Sequence, residues 1–251
     1  MTDQYARATQ LIANATRITV LTGAGISTDS GLPDFRGPNG LWTKNPEAEK
    51  ASNIRNYVNE PEVRKVNWAL RADGKLWASV LPNDGHRALL PLQERGALHT
   101  LVTQNVDELH QMSGIDTDRV VEIHGTTRRA GCLSCDYRTE METMLERVRA
   151  GEEDPDCPTC GGIMKSATIS FGQALVAEDL NRAQVAADDA DLLLAIGSSL
   201  TVNPIASIVP RAKRRGAALV IVNGQETPFD SIADAVVRGS ISDVLPQLIS
   251  E

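Results

Sequence analysis

Four cysteines are the first residues in this chain whose type and spacing specify chemistry. They stand as two pairs, Cys132-x-x-Cys135 and Cys157-x-x-Cys160, with 21 residues between the pairs. Tetrahedral zinc takes four thiolates, and each CxxC turn offers two of them from one tight knuckle. The spacing lies beside the usual range for two-knuckle zinc ribbons. Gly131, Pro158, Gly161 and Gly162 supply the turn residues that such knuckles need. Disulfide or redox use is the rival reading. Structural disulfides belong to oxidising compartments, whereas the start, MTDQYARATQ, lacks the layout of a secretory signal. A single redox pair would leave the second pair unexplained. Four thiolates fill the coordination sphere of zinc, so the expected metal is structural and catalysis must lie elsewhere.

The other candidates cluster where short apolar runs end. Gly23-Ala24-Gly25-Ile26-Ser27 follows the β-branched run Ile18–Thr22. Glycines there permit close backbone approach, and a helix starting after them would aim its N–H groups at a pyrophosphate. Thr28 occupies the third fingerprint position, so GxG alone leaves an ordinary strand-to-helix turn open. Among four histidines, His124 ends the run Val120–Ile123 and precedes Gly125. A strand C-terminus is where open α/β sheets bind ligands, and imidazole titrates near neutral pH. The alternative is a core histidine satisfied by backbone. His86 and His110 fall on expected helices as packing or capping residues, and His99 adjoins a strand start without further signal. Gln104-Asn105-Val106-Asp107 follows another strand end, where Asn and Asp hydrogen-bond a ribose or carboxamide or cap a helix. Ser198 and Ser199 follow the run Asp191–Ile196 and offer hydroxyls to phosphate oxygens, or a simple cap. Asp34, Phe35 and Arg36 occupy a Gly/Pro-flanked loop whose composition suits a lid.

These residues need a scaffold, and the composition bounds it. The chain has 251 residues, 41% hydrophobic and 23% charged, with 25 Lys+Arg against 33 Asp+Glu for a net charge of −8. Such a chain buries a core without staples and is wrong for disorder. The acidic balance argues against phosphate-backbone tracking. The basic run Arg211–Arg215 ends an expected helix, where cations complement the dipole. The apolar run Leu192–Ile196 is strand-sized, far short of the ~18 residues of a membrane span. Strands are expected at Ile18–Thr22, Leu101–Thr103, Val120–Ile123, Asp191–Ile196 and Ala218–Val222. Helices are expected at 3–15, Glu178–Ala187, Ile205–Arg215 and Ser242–Ser250. This alternation implies a doubly wound, Rossmann-like parallel sheet. Residues 1–43, 78–125 and 166–251 would form the nucleotide-binding domain. Two insertions, a helical one at 44–77 and a zinc-binding one at 126–165, would form a smaller domain.

At this point the sequence resembles the sirtuins, the NAD-dependent protein lysine deacylases. The resemblance rests on GAGIST-DSGLPDFRG at 23–37, Thr103-Gln104-Asn105-Val106-Asp107-Glu108-Leu109-His110, Glu122-Ile123-His124-Gly125, the paired CxxC knuckles, Gly197–Pro204 and Val222-Asn223. The motifs stand in family order from about residue 10 to the C-terminus. The resemblance implies that His124, Asn105 and Asp107 are catalytic. It implies that Gly23, Ala24, Gly25, Ile26, Thr28, Asp34, Phe35, Arg36, Trp42, Gln104, Asn105, Val106, Asp107, Gly197, Ser198, Ser199, Asn223, Gly224, Gln225 and Ile241 line the NAD site.

The chemistry it implies consumes NAD. The acyl-lysine carbonyl oxygen attacks the anomeric carbon of the nicotinamide ribose, and nicotinamide leaves. His124 acts as general base on a ribose hydroxyl, the acyl group migrates, and water releases lysine and O-acyl-ADP-ribose. The implied partner is an acyl-lysine peptide bound as an extended strand in a cytoplasmic protein, with no specific nucleic acid and no membrane. Mono-ADP-ribosyl transfer and a non-catalytic nucleotide sensor are the rival functions, and retention of His124, Asn105 and Asp107 argues against the sensor. Two departures bear on specificity. The substrate strand, Pro-Asp-Val-Val-aromatic-Phe-Gly-Glu in many sirtuins, reads Ser166-Ala167-Thr168-Ile169-Ser170-Phe171-Gly172-Gln173 here. The Tyr-x-x-Arg pair of succinyl- and malonyl-selective sirtuins reads Trp68-Ala69-Leu70-Arg71. A donor-only indole or a buried core role for Trp68 points to neutral acyl groups, with desuccinylation weaker.

Overall fold

A computed structural model describes residues 3–34, 40–44, 52–74 and 80–249. Its centre is a six-stranded parallel sheet with order β3-β2-β1-β7-β8-β9. The strands are β1 (Ile18–Thr22), β2 (Leu98–Thr103), β3 (Val120–Glu122), β7 (Leu192–Ile196), β8 (Ala218–Val222) and β9 (Ala235–Val237). Their continuous apolar runs follow from burial on both faces. Ile18, Val20, Leu192, Leu194, Ile196, Val220 and Val222 pack in one core with Ile12 of α1 (Asp3–Asn14) and Leu245 of the C-terminal helix (Ile241–Ile249). Leu21, Leu193, Ala195, Leu219 and Ile221 pack in the other, with Ala183 of the helix Ala177–Asp189 and Ile208 of the helix Ile208–Arg214. Alternate residues thus feed opposite cores, which strict period-2 geometry requires.

Chain order reverses between β1 and β7, so the C-terminal ends of these neighbours border the crevice where open α/β sheets take ligands. A second, antiparallel sheet joins β4 (Gly125–Cys132), β5 (Arg138–Glu140) and β6 (Met164–Thr168) in the order β5-β4-β6. Trp68, on the helix Pro61–Ala72, is 1% exposed and packs there with Met144, Leu145, Met164, Cys132 and Cys157. The tryptophan is therefore a core anchor of the cysteine-bearing layer.

The sequence-based elements stand with specific differences. The turn after β1 continues as a 3-10 helix, Ala24–Ser30. The helix expected over Ile205–Arg215 is a 3-10 turn, Ile205–Ser207, followed by the α-helix Ile208–Arg214. β2 starts three residues before the expected strand, and β9 had no counterpart in the sequence reading. The segment 44–77 holds the helices Ile54–Asn59 and Pro61–Ala72, with 45–51 and 75–79 outside the described residues. Among the described residues, no helix is long and apolar enough to cross a membrane.

Candidate active site

The crevice is built from two turns that could not touch if either carried side chains. Gly23 and Gly25 follow β1; Gly197 follows β7. A Cβ on Gly23 would lie 2.8 Å from the Gly197 carbonyl oxygen, and one on Gly25 would lie 2.8 Å from Gly197 Cα. Gly197 itself sits at φ +61, where an added Cβ would meet Ile26 N at 2.5 Å. The Gly23 and Gly25 amides donate to the carbonyls of Ile196 (3.0 Å) and Gly197 (2.8 Å). These glycines serve the close approach of two backbone turns, a different reason from the phosphate approach read from the GxG pattern.

Strand β2 delivers the polar segment. Gln104 N donates to Thr22 O (2.9 Å), and Gln104 Nε2 donates to Ser198 Oγ (2.8 Å), tying the β2 exit to the β7 exit. Ser198 Oγ also accepts from Leu200 N at 3.2 Å, which leaves its own proton for another acceptor. Asn105 and Asp107 are nearly buried, at 7% and 8% exposure. Ser27, in the 3-10 turn, links them: Asn105 Nδ2 donates to Ser27 Oγ (3.1 Å), which donates to Asp107 Oδ2 (2.8 Å). Asp107 Oδ1 accepts from Leu109 N at 3.0 Å. Desolvation raises the Asp107 pKa, and the hydrogen bonds from Leu109 and Ser27 counter part of that rise. Val106 points its carbonyl at Thr127, which donates from both N (3.0 Å) and Oγ1 (2.8 Å).

His124 lies two residues past the end of β3, which stops at Glu122, one residue short of the expected strand, and is half-buried. Its Nδ1 is 3.0 Å from the Gln104 carbonyl oxygen. A carbonyl only accepts, so Nδ1 carries the proton and Nε2 keeps a free lone pair. Burial lowers the pKa below its ordinary 6.5, with the Gln104 hydrogen bond opposing, so the ring is neutral at pH 7. Gly125 follows at φ +72, and a Cβ there would lie 2.0 Å from the Ala167 carbonyl oxygen. Only glycine lets β4 leave His124 beside the β6 strand end, where Ile169 N donates to His124 O at 2.7 Å.

A buried polar network below the crevice escaped the sequence reading. His86, fully buried, sits in a capping box with Asn83, as its helical position foretold. Its Nε2 also reaches Ser27 Oγ at 3.3 Å. Because the Ser27 proton goes to Asp107, His86 must donate from Nε2. His110 Nε2 lies 2.9 Å from Thr22 Oγ1, which donates to Thr103 Oγ1 at 2.9 Å, and Thr103 Oγ1 caps Asn105 N at 3.0 Å. The chain His110–Thr22–Thr103–Asn105 thus fixes a site residue through two strands. Ser27 stood within the quoted GAGIS motif; the histidine roles had no signal in spacing. Glu122, two residues before His124, has a buried Oε1 with no partner among the described residues, and burial with nearby Glu108 raises its pKa to about 7 against the opposing effect of Gln111.

Several expected residues lie around the rim. Asn223 Nδ2 donates to Gln225 O at 2.9 Å, and Gly224 has open space around its Cα. Ile241 is buried at 6% against the Gly197 turn. Ile26 is in the core, Ser199 pairs with Thr201, and Thr28 Oγ1 donates to Gly25 O at 3.0 Å. Ala24 and Asp34 are half-buried. Phe35, Arg36 and the Trp42 side chain lie outside the described residues.

The four cysteines meet at the far end of β4. Their sulfurs all lie within 4.8 Å of one another, with Cys132–Cys160 at 3.5 Å, Cys135–Cys157 at 3.7 Å and Cys135–Cys160 at 3.4 Å. A disulfide needs about 2.05 Å, whereas sulfurs at ~2.3 Å from a shared tetrahedral zinc stand about 3.8 Å apart. The donor set fits zinc.

A doubly wound sheet with glycine turns at its switch point, a neutral histidine at a strand end and a tetracysteine layer defines a nucleotide-site α/β protein with an inserted metal-type module. The Sir2 family model matches residues 23–204. An NAD-dependent protein deacetylase 2 of Streptomyces coelicolor is 44% identical over 92% of this chain and 96% of its own. An NAD-dependent protein deacetylase of Rhodopseudomonas palustris is 42% identical over 94% and 92%. Among solved structures, a Sir2 enzyme with a deacetylated p53 peptide and 3'-O-acetyl ADP ribose superposes with TM-score 0.88 at 31% identity, covering 98% of both chains. A Sir2 homologue in complex with NAD gives 0.84 at 33% identity, covering 98% of this chain and 92% of that one. The chain belongs to the Sir2 family.

Proposed function

We propose that the protein is an NAD-dependent protein lysine deacetylase that transfers the acyl group to ADP-ribose and releases nicotinamide. The observation that carries this reading is the hydrogen bond from His124 Nδ1 to the Gln104 carbonyl, which leaves a neutral Nε2 free on a ring anchored to the residue next to Asn105. NAD, as consumed co-substrate, supplies an electrophilic anomeric carbon once its nicotinamide departs. In this reading Nε2 of His124 takes the proton of a ribose hydroxyl. Asn105 and Asp107, oriented by Ser27, face the nicotinamide ribose. The turns at Gly23–Ile26 and Gly197–Ser199, with the Asn223–Gln225 rim and Ile241, hold the nucleotide. Phe35, Arg36 and Trp42 belong to the same assignment by family motif.

The four thiolates hold one structural zinc, and zinc thiolates suit a reducing cytoplasm. Residues 1–43, 78–125 and 166–251 act as the cofactor domain and 44–77 with 126–165 as the small domain. The acyl-lysine segment pairs by backbone beside Ser170–Gln173.

Incubation with NAD and an acetyl-lysine peptide tests the reading. Nicotinamide release that requires the peptide, with O-acetyl-ADP-ribose formed in equal amount, is expected. Labelling of protein with ADP-ribose, without loss of acetyl, would overturn it in favour of mono-ADP-ribosyl transfer.

A further inference from the structure

We infer that Arg138 is a positioning residue for the metal, closing the first cysteine knuckle from outside the ligand set. This rests on the zinc reading above. Arg138 opens β5, directly opposite Gly131 on β4. Its Nη1, with two hydrogens to share, lies within reach of three main-chain carbonyls of the knuckle: Tyr137 at 2.9 Å, and Cys132 and Cys135 at 3.3 Å each. Two of those carbonyls belong to zinc-type ligands, so one guanidinium sets the spacing of both thiolates in the pair. The knuckle is otherwise closed by Cys132 N to Tyr137 O at 3.0 Å and Ser134 N to Cys132 Sγ at 3.2 Å.

The residue facing Arg138 makes the arrangement specific. A Cβ on Gly131 would lie 2.8 Å from Arg138 Cδ, 2.9 Å from Nε and 3.0 Å from Cζ. Glycine at 131 therefore leaves the space in which the guanidinium lies flat on the knuckle. Gly131 has no positive φ, so the space and not the backbone conformation requires it. Another arginine of this strand pair, Arg129, makes a 3.6 Å ion pair with Glu140, and both side chains are well exposed.

Zinc transfer from the full-length, zinc-loaded protein to a colorimetric chelator reads this directly, without activity. Arg138→Met is expected to release zinc about tenfold faster or more, the scale on which outer-shell partners act. Arg138→Lys, which keeps the charge but not the fork, should fall between. Gly131→Ala removes no cysteine and no charge, yet its methyl displaces the guanidinium, so it should reproduce the acceleration. The double variant should release no faster than the faster single. Arg129→Met should match wild type. Release at the wild-type rate from zinc-loaded Arg138→Lys and Gly131→Ala overturns the inference, even where Arg138→Met fails to fold. A wild-type protein purified without zinc overturns the metal reading and this inference together, and elemental analysis distinguishes that result.

Discussion

The imidazole of His124 and the main-chain carbonyl of Gln104 are held 3.0 Å apart, and this one contact sets the protonation pattern of the crevice. Gln104 itself is fixed from both sides, through its amide to Thr22 O and through Nε2 to Ser198 Oγ. The proposed base is thus oriented by the exits of β1, β2 and β7 at once. Such a ring needs no rearrangement before it takes a proton.

Replacing it should therefore remove chemistry and leave binding. His124→Ala is expected to lower kcat for deacetylation by about 10²–10⁴-fold, the usual range for a lost general base, with thermal stability and NAD affinity near wild type. Because burial holds the pKa below 6.5, kcat/KM of the wild type should stay level down to that pH and fall only as pH drops through the lowered pKa. Turnover in the alanine variant at the wild-type rate ends the assignment.

Much of this was legible in the sequence, for identifiable reasons. β1, β7 and β8 are buried on both faces, so their apolar runs lack alternation and read clearly as parallel strands. β9 is three residues long and polar at its borders, too short for any period to register. The 3-10 form of the turn after β1 has no signal in the GxG pattern, which specifies only that a strand gives way to a turn or helix. His124 is marked by its place after a short apolar run, and the Glu122-Ile123-His124-Gly125 motif singles it out from a core histidine. Ser27 and His86 meet Asp107 only through contacts 80 and 59 residues apart in sequence, which no spacing rule encodes.

The network predicts how stability responds to pH. His86 has a folded pKa of about 4, from burial and nearby Arg87. The unfolded chain binds its proton first, so this stability is full above 6.5 and is lost as pH falls toward 4. The contribution is on the order of 3 kcal/mol, and fully buried His110 acts in the same sense. Glu122 opposes it. Its folded pKa of about 7 means the folded state holds a proton that the unfolded state has lost, so stability falls as pH rises from 4.5 through 7. Allowing for its partial exposure, the effect is on the order of 1 kcal/mol. Glu122→Gln should therefore raise Tm at pH 8 and leave it nearly unchanged at pH 4.5. An equal shift at both pH values, measured by thermal melting, would refute the buried carboxyl as its source.

Gly125→Ala should be far more damaging than a surface change. The methyl would lie 2.0 Å from the Ala167 carbonyl oxygen at a φ of +72, so β4 and β6 must separate beside His124. A loss of at least 2–3 kcal/mol, roughly the scale of a strained non-glycine position plus a steric shift, should appear in denaturant unfolding. Wild-type stability would mean that the strands part at no cost.

Metal removal should act on the layer that Trp68 anchors before it acts on the crevice. Cys132 is a proposed ligand and also part of the core with Trp68, Met144 and Met164. Cys132→Ala is expected to abolish the one zinc per chain and lower Tm by several degrees, because structural zinc binding is coupled to folding. Metal analysis and melting curves check it, and a variant that retains stoichiometric zinc contradicts the ligand assignment.

The acyl preference is decided where Trp68 and Arg71 part company. In the Tyr-x-x-Arg arrangement both side chains grip a distal carboxylate, the tyrosine by its hydroxyl and the arginine by a charge-assisted fork. Here Trp68 is 1% exposed in the core, with no partner for its Nε1 among the described residues, and a donor-only indole locked there has no route to a ligand. Arg71 is engaged within the protein, donating from Nε to Asn67 Oδ1 at 2.9 Å and from Nη2 to Ser166 Oγ at 3.2 Å. Recruiting it to a succinyl group would break those bonds without a second grip in return. The expected outcome is a higher kcat/KM for acetyl-lysine than for succinyl-lysine in the same peptide, by about tenfold or more if one charge-assisted contact of ~1.4 kcal/mol is forgone. Arg71→Met should leave the acetyl value within a few-fold of wild type. A succinyl preference that collapses in Arg71→Met would show that the arginine leaves Asn67 and Ser166 to bind substrate.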